Sequence, residues 1–558
     1  MEIEEKIKNS IVNALKDLNY PVVDINLEEP PSKDLGDLST NLSFKLASDL
    51  GMNPVDIANN IVNAMETPKY ISKVETKGPY INFFIDYDAF APKLLKKIDE
   101  NYGNLKSKNK KVILEHTSAN PNGPLHVGHL RNAIIGDSLA RIMRAAGYDV
   151  ETHYYVNDMG RQVAMVVWGA LNLEFKKEKV KKDHEIGKIY YLANKALEND
   201  PKIENEVNKL MKKYEEGDKK TRKIFKNIVK KCLEGIKETL KNLNIEHDKF
   251  VWESDFVRDS SIEKIIEKLK NTEYFYESEG AICLNLEKFG IEKELILKRS
   301  DGTSLYATRD IAYHFMKSQN ADIVIDVLGS DHKLTAEQVK TVMKILKSKQ
   351  PEIIFYEFIT LPNGSMSTRK GTFVSVDELI EESKKRAIEE IKKRRKDISE
   401  SEMEKIAEIV SIGAIRYYIA KLSPEKHLTF KWEDVLDFEK GCASIQYAHA
   451  RACKLLKKAK YKEKEYEIDK WPLNDLEIDL IRILSKFPKI VETAAKTRKI
   501  HMAAQYAQEL ANAFNRFYKH VPVIGSEHEK NRLVLVEKCK ITINNCLKLL
   551  GIKAPSSM

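Results

Sequence analysis

The chain has 558 residues, 32% of them charged and 42% hydrophobic, which is too long for one core and fits a globular protein of roughly three or four domains. No run approaches the roughly 18 uninterrupted apolar residues of a membrane helix. The six scattered cysteines form no C-x-x-C pair, which argues against structural zinc and a disulfide framework and for a reducing, cytoplasmic setting. The net charge of +9, from 93 Lys and Arg against 84 Asp and Glu, permits a polyanionic partner without demanding one.

The opening MEIEEKIKNSIVNALKDLNY mixes charge and apolar residues at helical spacing and reads as a folded helix, not a targeting peptide. NPVDIANNIVNAM (53–65) predicts a second helix and the alternating GPYINFFID (78–86) a strand, so the first hundred or so residues form a small α+β unit. The polar NYGNLKSKNKK (101–111) is a boundary. VILEHT (112–117) then predicts a buried parallel strand. A turn with glycine leads into a helix with Leu130, Ile134, Leu139, Ile142 and Ala146 near one face, stopping at Gly147. YDVETHYYV (148–156) is again strand-like, which completes a βαβ unit and opens a doubly wound sheet.

From about Glu174 to Lys249 a lysine- and glutamate-rich stretch with helical periodicity predicts an insertion into that sheet domain. Strand signals resume at AICLNL (281–286), ELILKR (294–299), ADIVIDVLG (321–329) and IIFYEFITL (353–361). After the loop PNGSMSTRKGTF, Ser375-Val-Asp-Glu378 matches a capping box and starts a helix. The remainder is almost entirely helical in pattern, broken at Trp471-Pro472 and at VPVIGSE (521–527).

The turn NPNGPLHVGHLRNA (120–133) holds two histidines around Val127-Gly128, and three readings are open for them. Zinc needs three or four ligands and H-x-x-H supplies two; His116 and His153 would have to join without any spacing signal. The imidazoles can simply be satisfied within a turn. Thirdly, a strand-to-helix turn in a doubly wound fold is where phosphates bind, because unpaired N–H groups point outward there. Gly128 lets a ligand approach the backbone, and imidazoles donate hydrogen bonds as charge builds on a phosphate.

His126-Val-Gly-His129 resembles the HIGH signature of class I aminoacyl-tRNA synthetases, and MSTRKG (366–371), about 240 residues downstream, stands where that class carries its KMSKS loop. EHTSANPNGPLHVGHLRNAIIGDSLARI (115–142), YYVNDMGRQ (154–162), SLYATRDIAYH (304–314), SIQYAHAR (444–451) and the terminal LGIKAPSSM are similar to arginyl-tRNA synthetases in particular. The resemblance covers the whole chain in order. It implies a multidomain α/β protein: a tRNA-elbow-binding N-terminal domain (1–108), a Rossmann-type parallel-sheet catalytic domain (109–375) with its helical insertion at about 174–250, a helical connecting region (376–440) and an all-α anticodon-binding domain (441–558).

The same resemblance implies that ATP, with Mg²⁺ carried on its phosphates, activates L-arginine to arginyl-adenylate. The arginyl group then passes to the terminal adenosine of tRNA-Arg, at its 2′-hydroxyl, with activation requiring the tRNA. His126, Gly128, His129 and the loop residues Met366, Ser367, Thr368, Arg369 and Lys370 would serve ATP. Glu115 and Asn120 match positions that hold the substrate's amino end; Glu253, Tyr306, Asp310 and His332 fall where the family lines the arginine pocket. Carboxylates suit a guanidinium, which is planar, permanently charged and rich in donors. Without the resemblance, Asp310 would read as a helix-start carboxylate, Glu253 as a rim acid and His332 as a solvated loop residue. No structural zinc, no membrane contact and a monomeric cytoplasmic enzyme complete the expectation.

The loop departs from the class pattern. Ser365-Met366-Ser367-Thr368-Arg369-Lys370 lacks both signature lysines, and Gly123 stands where relatives with such loops carry a substitute. Lys370 or Arg369 is therefore assigned to the leaving pyrophosphate. For RNA, Lys77, Tyr80 and Asn82 match the family's elbow-contacting loop and strand, with Tyr80 suited to stack on a base and Asn82 to read its edge. Tyr447, Tyr518 and Met558 match positions near the anticodon, whereas Phe514, Phe517 and Val521 at helical spacing are expected in the core. A small-molecule nucleotidyltransferase would be shorter. Cysteinyl, valyl or isoleucyl synthetases would want zinc-ligand cysteines or a large editing insertion. A non-catalytic tRNA-binding scaffold predicts damage to the histidine pair and the acids, which all stand.

Overall fold

The computed structural model describes residues 2–174, 180–360, 374–395, 398–437, 440–462 and 468–558. The chain divides into two compact units: residues 1–102, 451–489 and 509–543 form the first, and 103–450, 490–508 and 544–558 the second.

In the first unit, helices α1 (Glu2–Asp17), α2 (Leu42–Leu50), α3 (Pro54–Ala64) and α4 (Tyr87–Lys97) accompany strands β1 (Leu38–Thr40), β2 (Ile71–Lys77) and β3 (Tyr80–Ile85). The strands form an antiparallel sheet in the order β1-β3-β2, with Lys77 opposite Tyr80. Helix α3 starts where the sequence says it should: the Asn53 side chain caps the Val55 amide and Pro54 occupies the first turn.

The second unit is built on a five-stranded parallel sheet, ordered β11-β10-β4-β5-β6, from β4 (Lys111–Glu115), β5 (Asp149–Val156), β6 (Lys249–Trp252), β10 (Ile323–Gly329) and β11 (Glu352–Tyr356). The chain runs outward from β4 through β5 to β6, then returns to the other side through β10 and β11. The strand order reverses between β4 and β10, and open α/β sheets bind ligands at the carboxyl ends beside such a switch. Helix α5 (Val127–Ala145) connects β4 to β5, and α6 (Arg161–Asn172), α7 (Lys182–Asn199), α8 (Ile203–Glu215) and α9 (Lys219–Asn242) fill the long connection from β5 to β6.

The remaining strand signals divide among three sheets. Residues 281–284 and 295–298, strands β8 and β9, lie outside the parallel sheet: β8 pairs antiparallel with β7 (Phe275–Ser278) on one side and with β9 on the other. Leu284, Leu295 and Leu297 are buried against α10 (Glu253–Arg258), α11 (Ser261–Lys270), α12 (Tyr306–Asn320) and α13 (Lys333–Ile345) while Ala281, Ile282 and Ile296 are not, whereas β4 is buried along nearly its whole length. The run 353–361 splits into β11 and a two-residue β12 (Ile359–Thr360) that pairs with β13 (Leu428–Thr429). Strand β6 has no counterpart in the sequence reading, being four residues long at a sheet edge with Lys249 exposed.

Helices α14 (Val376–Arg394), α15 (Glu400–Ala420) and α16 (Trp432–Val435) follow, then α17 (Cys442–Lys458), α18 (Asp475–Thr497), α19 (His501–His520) and α20 (Glu529–Leu549), each of which contributes to both units. Phe514, Phe517 and Val521 are buried, as helical spacing predicted. Within the second unit, Arg416 of α15 is fully buried: its guanidinium pairs with Asp137 on α5, Nε donates to the Leu550 carbonyl at 2.6 Å and Nη1 to that of Leu243 at 2.7 Å. Gly551 takes a positive φ of 66° beneath that guanidinium, where a Cβ would lie 2.2 Å from Nη2. Gln446 and His449 hold the carbonyls of Lys553 and Pro555.

Candidate active site

His126 is the N-cap of α5, and the two histidines form a reciprocal capping box. The Gly128 amide donates to His126 Nδ1 at 3.0 Å, and the His126 amide donates to His129 Nδ1 at 3.4 Å. The rings stack, with centroids 3.7 Å apart. A nitrogen that accepts from an amide cannot carry a proton, so each neutral ring is protonated at Nε2. Burial pushes His126 down to about 4, and burial with the neighbouring His126 pushes His129 well below the ordinary range, so both are neutral donors at pH 7. Gly128 is required because the His126 ring folds back over it; a Cβ there would stand 2.8 Å from Cε1.

The turn is pinned from three sides. Arg131, fully buried, donates to the carbonyls of Glu357 (2.5 Å), Ser423 (3.2 Å) and Lys426 (2.7 Å). Asn132 accepts from the Thr117 amide at 2.6 Å and donates to the Val327 carbonyl at 2.7 Å, which ties α5 to the ends of β4 and β10. Leu125 and Val127 bond to Val376 and Val374 across a bridge that sets His126 beside Ser375. Ser375 and Glu378 form the expected capping box of α14. Met366, Ser367, Thr368, Arg369 and Lys370 lie outside the described residues.

Beside the switch point lies a buried charged network. Lys317 on α12 donates to Glu115 at 2.8 Å and to Asp326 on β10 at 2.5 Å. His314 faces acceptors from both nitrogens: Nδ1 meets the Asp310 carbonyl at 2.8 Å and carboxylate at 3.1 Å, and Nε2 meets Asp326 at 2.8 Å. Burial and Lys317 push this imidazole down, but Asp310 and Asp326 overcome both and hold it at about 10, so it is charged. Burial raises Glu115 against the lowering effect of Lys317.

Glu253, 1% exposed at the start of α10, accepts from Arg309 Nε at 2.6 Å, and its other oxygen has no partner among the described residues. Burial raises its carboxyl to about 7 in spite of Arg309. Asp310 and His332 line one small cavity with His314 and Thr335. Tyr306, 60% exposed, opens instead on a larger cavity of about 630 Å³ with Arg309, Asn157 and Arg161. Asn120 is half-buried and donates to Gln162 at 2.8 Å. The structure therefore gathers Glu115, Asp310 and His332 around His314, puts Glu253 on the neighbouring Arg309, and leaves Tyr306 outward. Lys317, Asp326, His314 and Arg309 were missed in the sequence, where a lysine within HFMKSQ reads as a solvated face.

Among the described residues, the groups spaced for a metal ion are Glu115, His314 and Asp326, and Asp183, His184 and Asp377. Neither includes His126 or His129. Each already holds an ammonium: Lys317 in the first, and in the second Lys181, 2.5 Å from Asp377 and 3.2 Å from Asp183.

Of the residues assigned to RNA, Lys77 and Tyr80 are exposed on neighbouring strands, and Tyr80 meets Phe44 edge-on at 5.7 Å. Asn82 is only 2% exposed, within the sheet. Tyr447 is exposed on α17. Tyr518 on α19 is half-buried, with the Arg451 guanidinium over its ring at 5.2 Å. Met558 is partly buried against the core cluster that includes Ala387, Ile391 and Met403.

Known proteins share this architecture. Residues 3–85 match the family described as arginyl tRNA synthetase N terminal domain, 92–432 that described as tRNA synthetases class I (R), catalytic domain, and 445–558 that described as DALR anticodon binding domain. The arginine–tRNA ligase of Methanothermobacter thermautotrophicus is 55% identical, covering 100% of this chain and 99% of the relative; that of Methanosphaera stadtmanae is 52% identical, covering 100% of each. The arginyl-tRNA synthetase structure from Thermus thermophilus superposes with a TM-score of 0.86 at 28% identity over 100% of both chains.

Proposed function

Because the chain belongs to the arginyl-tRNA synthetase family, we propose that it activates L-arginine with ATP and passes the arginyl group to the 3′-terminal adenosine of tRNA-Arg. The observation that carries this reading of the site is the stacked pair of imidazoles, each accepting a backbone amide at Nδ1, at the N-terminus of a helix entered from the carboxyl end of a parallel strand. An arginine carboxylate oxygen attacks the α-phosphate, and the bond to pyrophosphate breaks. The adenosine 2′-hydroxyl then attacks the arginyl carbonyl, and AMP leaves. Negative charge builds on the α-phosphate in the first step, and fixed neutral donors with the positive end of α5 stabilise it without reorganising. No covalent enzyme intermediate is needed; the chain's contribution is positioning and electrostatics.

In this assignment Glu253, Tyr306, Asp310 and His332 take the guanidinium, and Glu115 with Asn120 takes the amino end. Met366, Ser367, Thr368, Arg369 and Lys370 serve the phosphates, with Lys370 or Arg369 on the leaving pyrophosphate. Among the described residues, both carboxylate clusters with metal spacing hold lysines and so do not fit Mg²⁺, which would instead arrive with ATP and neutralise its phosphates. Lys77 and Tyr80, with Asn82 behind them, meet the tRNA elbow, and Tyr447, Tyr518 and Met558 serve the anticodon end. We assign it a monomeric state and a reducing, cytoplasmic compartment, the latter in keeping with six scattered cysteines that form no C-x-x-C pair.

Arginine-dependent ATP–pyrophosphate exchange, with and without tRNA-Arg and with lysine as control, tests the reading. Exchange with arginine and tRNA together is expected. Exchange with arginine alone would remove the tRNA requirement, and absence of exchange in every mixture would overturn the enzyme assignment.

A further inference from the structure

We propose that the Tyr155 hydroxyl is a further arginine-contacting group, accepting an N–H of the substrate guanidinium; this rests on the arginine pocket assigned above. Tyr155 is the penultimate residue of β5, in register with Val251 of β6, two residues before Glu253. On its other side its amide donates to Ser118 Oγ at 3.0 Å, and that hydroxyl donates to Glu115 at 3.0 Å. Its ring stacks on Tyr313 of α12, with centroids 4.7 Å apart and planes 16° from parallel, one helical turn beyond Arg309 and Asp310. Tyr155 thus stands between the three elements that carry the pocket acids.

The ring keeps some exposure, but its hydroxyl oxygen is closed to solvent and has no hydrogen-bond partner among the described residues. A buried polar group left so costs about 1–3 kcal/mol, a cost the fold has no structural reason to carry. Glu253 holds a second such atom: Arg309 occupies one carboxylate oxygen and leaves the other open. The carboxylates of Glu253, Asp310 and Glu115 all act on the hydroxyl and, with burial, keep it protonated. A guanidinium presents five N–H donors in a fixed plane. Carboxylates alone would satisfy any cation; a neutral acceptor at a set position in the same ring of acids favours a fork over the compact ammonium of lysine.

Tyr155→Phe keeps the ring and its stacking and removes only the oxygen. Steady-state aminoacylation is measured over arginine, ATP and tRNA in turn, alongside thermal melting of the free enzyme. The expected result is a KM for arginine raised about ten-fold, the loss of one hydrogen bond to a charged group, with KM for ATP and tRNA within about two-fold and melting unchanged or slightly higher. A purely structural tyrosine would lower melting and leave the arginine KM alone. An unchanged arginine KM, or a fall in kcat without one, overturns the assignment. If the parent chain itself fails to charge tRNA with arginine, the functional reading fails; if it charges normally and Tyr155→Phe binds arginine equally well, only the role of Tyr155 does.

Discussion

At the turn before α5, His126 and His129 are half-buried and neutral, whereas His314 on α12 is buried more deeply and carries a proton. Burial pushes all three downward. What reverses its effect at His314 is the carboxylates of Asp310 and Asp326, each within hydrogen-bond reach of a ring nitrogen. At the turn, backbone amides occupy both Nδ1 positions, and an amide favours the neutral ring. The charge of a histidine in this fold thus follows from the donors and acceptors it faces, not from its depth. One region keeps fixed donors at a helix N-terminus; the other stores a cation among acids beside the place assigned to the substrate's own.

The largest effect is expected at Lys317, which holds two of the buried acids. Lys317→Met would leave Glu115 and Asp326 buried with one cation fewer, at an expected cost of about 3–5 kcal/mol in a urea titration. A variant as stable as the parent would mean that the acids do not need this ammonium. Next comes the turn. Asparagine can still cap the helix, so His126→Asn should leave stability nearly unchanged while slowing arginine-dependent pyrophosphate exchange by about 10²–10³, the effect of losing one preorganised donor. A loss of stability in parallel with activity would reduce His126 to a cap.

The smallest effect sharpens the contrast through pH. His314 is raised above its unfolded value, so its contribution to stability is complete below about pH 6.5 and fades as pH climbs towards 10. His126 is depressed: the unfolded chain takes its proton below about pH 6.5 and the folded one only near 4, so stability is lost as pH falls across that window. His314→Gln should flatten the alkaline limb of a plot of urea midpoint against pH and leave the acid limb, and His126→Asn should do the reverse. Identical limbs in both variants would contradict the assigned protonation states.

Much of the frame was legible in the sequence, because its signals are local. The apolar face of α5, the strand before it and the Ser375–Glu378 cap each fit within a short window, and the two motifs in order carried the family. Lys317 was not legible, because its partner Glu115 is 202 residues away and a lysine in an amphipathic run looks solvated. Asp326 hides in an apolar strand, and Arg309 occupies one oxygen of the acid assigned to the substrate. The antiparallel placement of β8 and β9 escaped too, since short apolar runs say nothing about which sheet receives them.

The buried guanidinium of Arg416 has a consequence for how the molecule is made. Its acid, Asp137, emerges from the ribosome early, but the Leu550 carbonyl and the glycine beneath it are translated more than a hundred residues later. At about 5–20 residues per second, the nascent parallel-sheet unit waits on the order of ten seconds with a charged pair only half enclosed. Closure around the pair thus comes after every strand of the parallel sheet has been made, and a ribosome stalled near residue 540 would hold a chain with all five of those strands and this guanidinium still short of an acceptor.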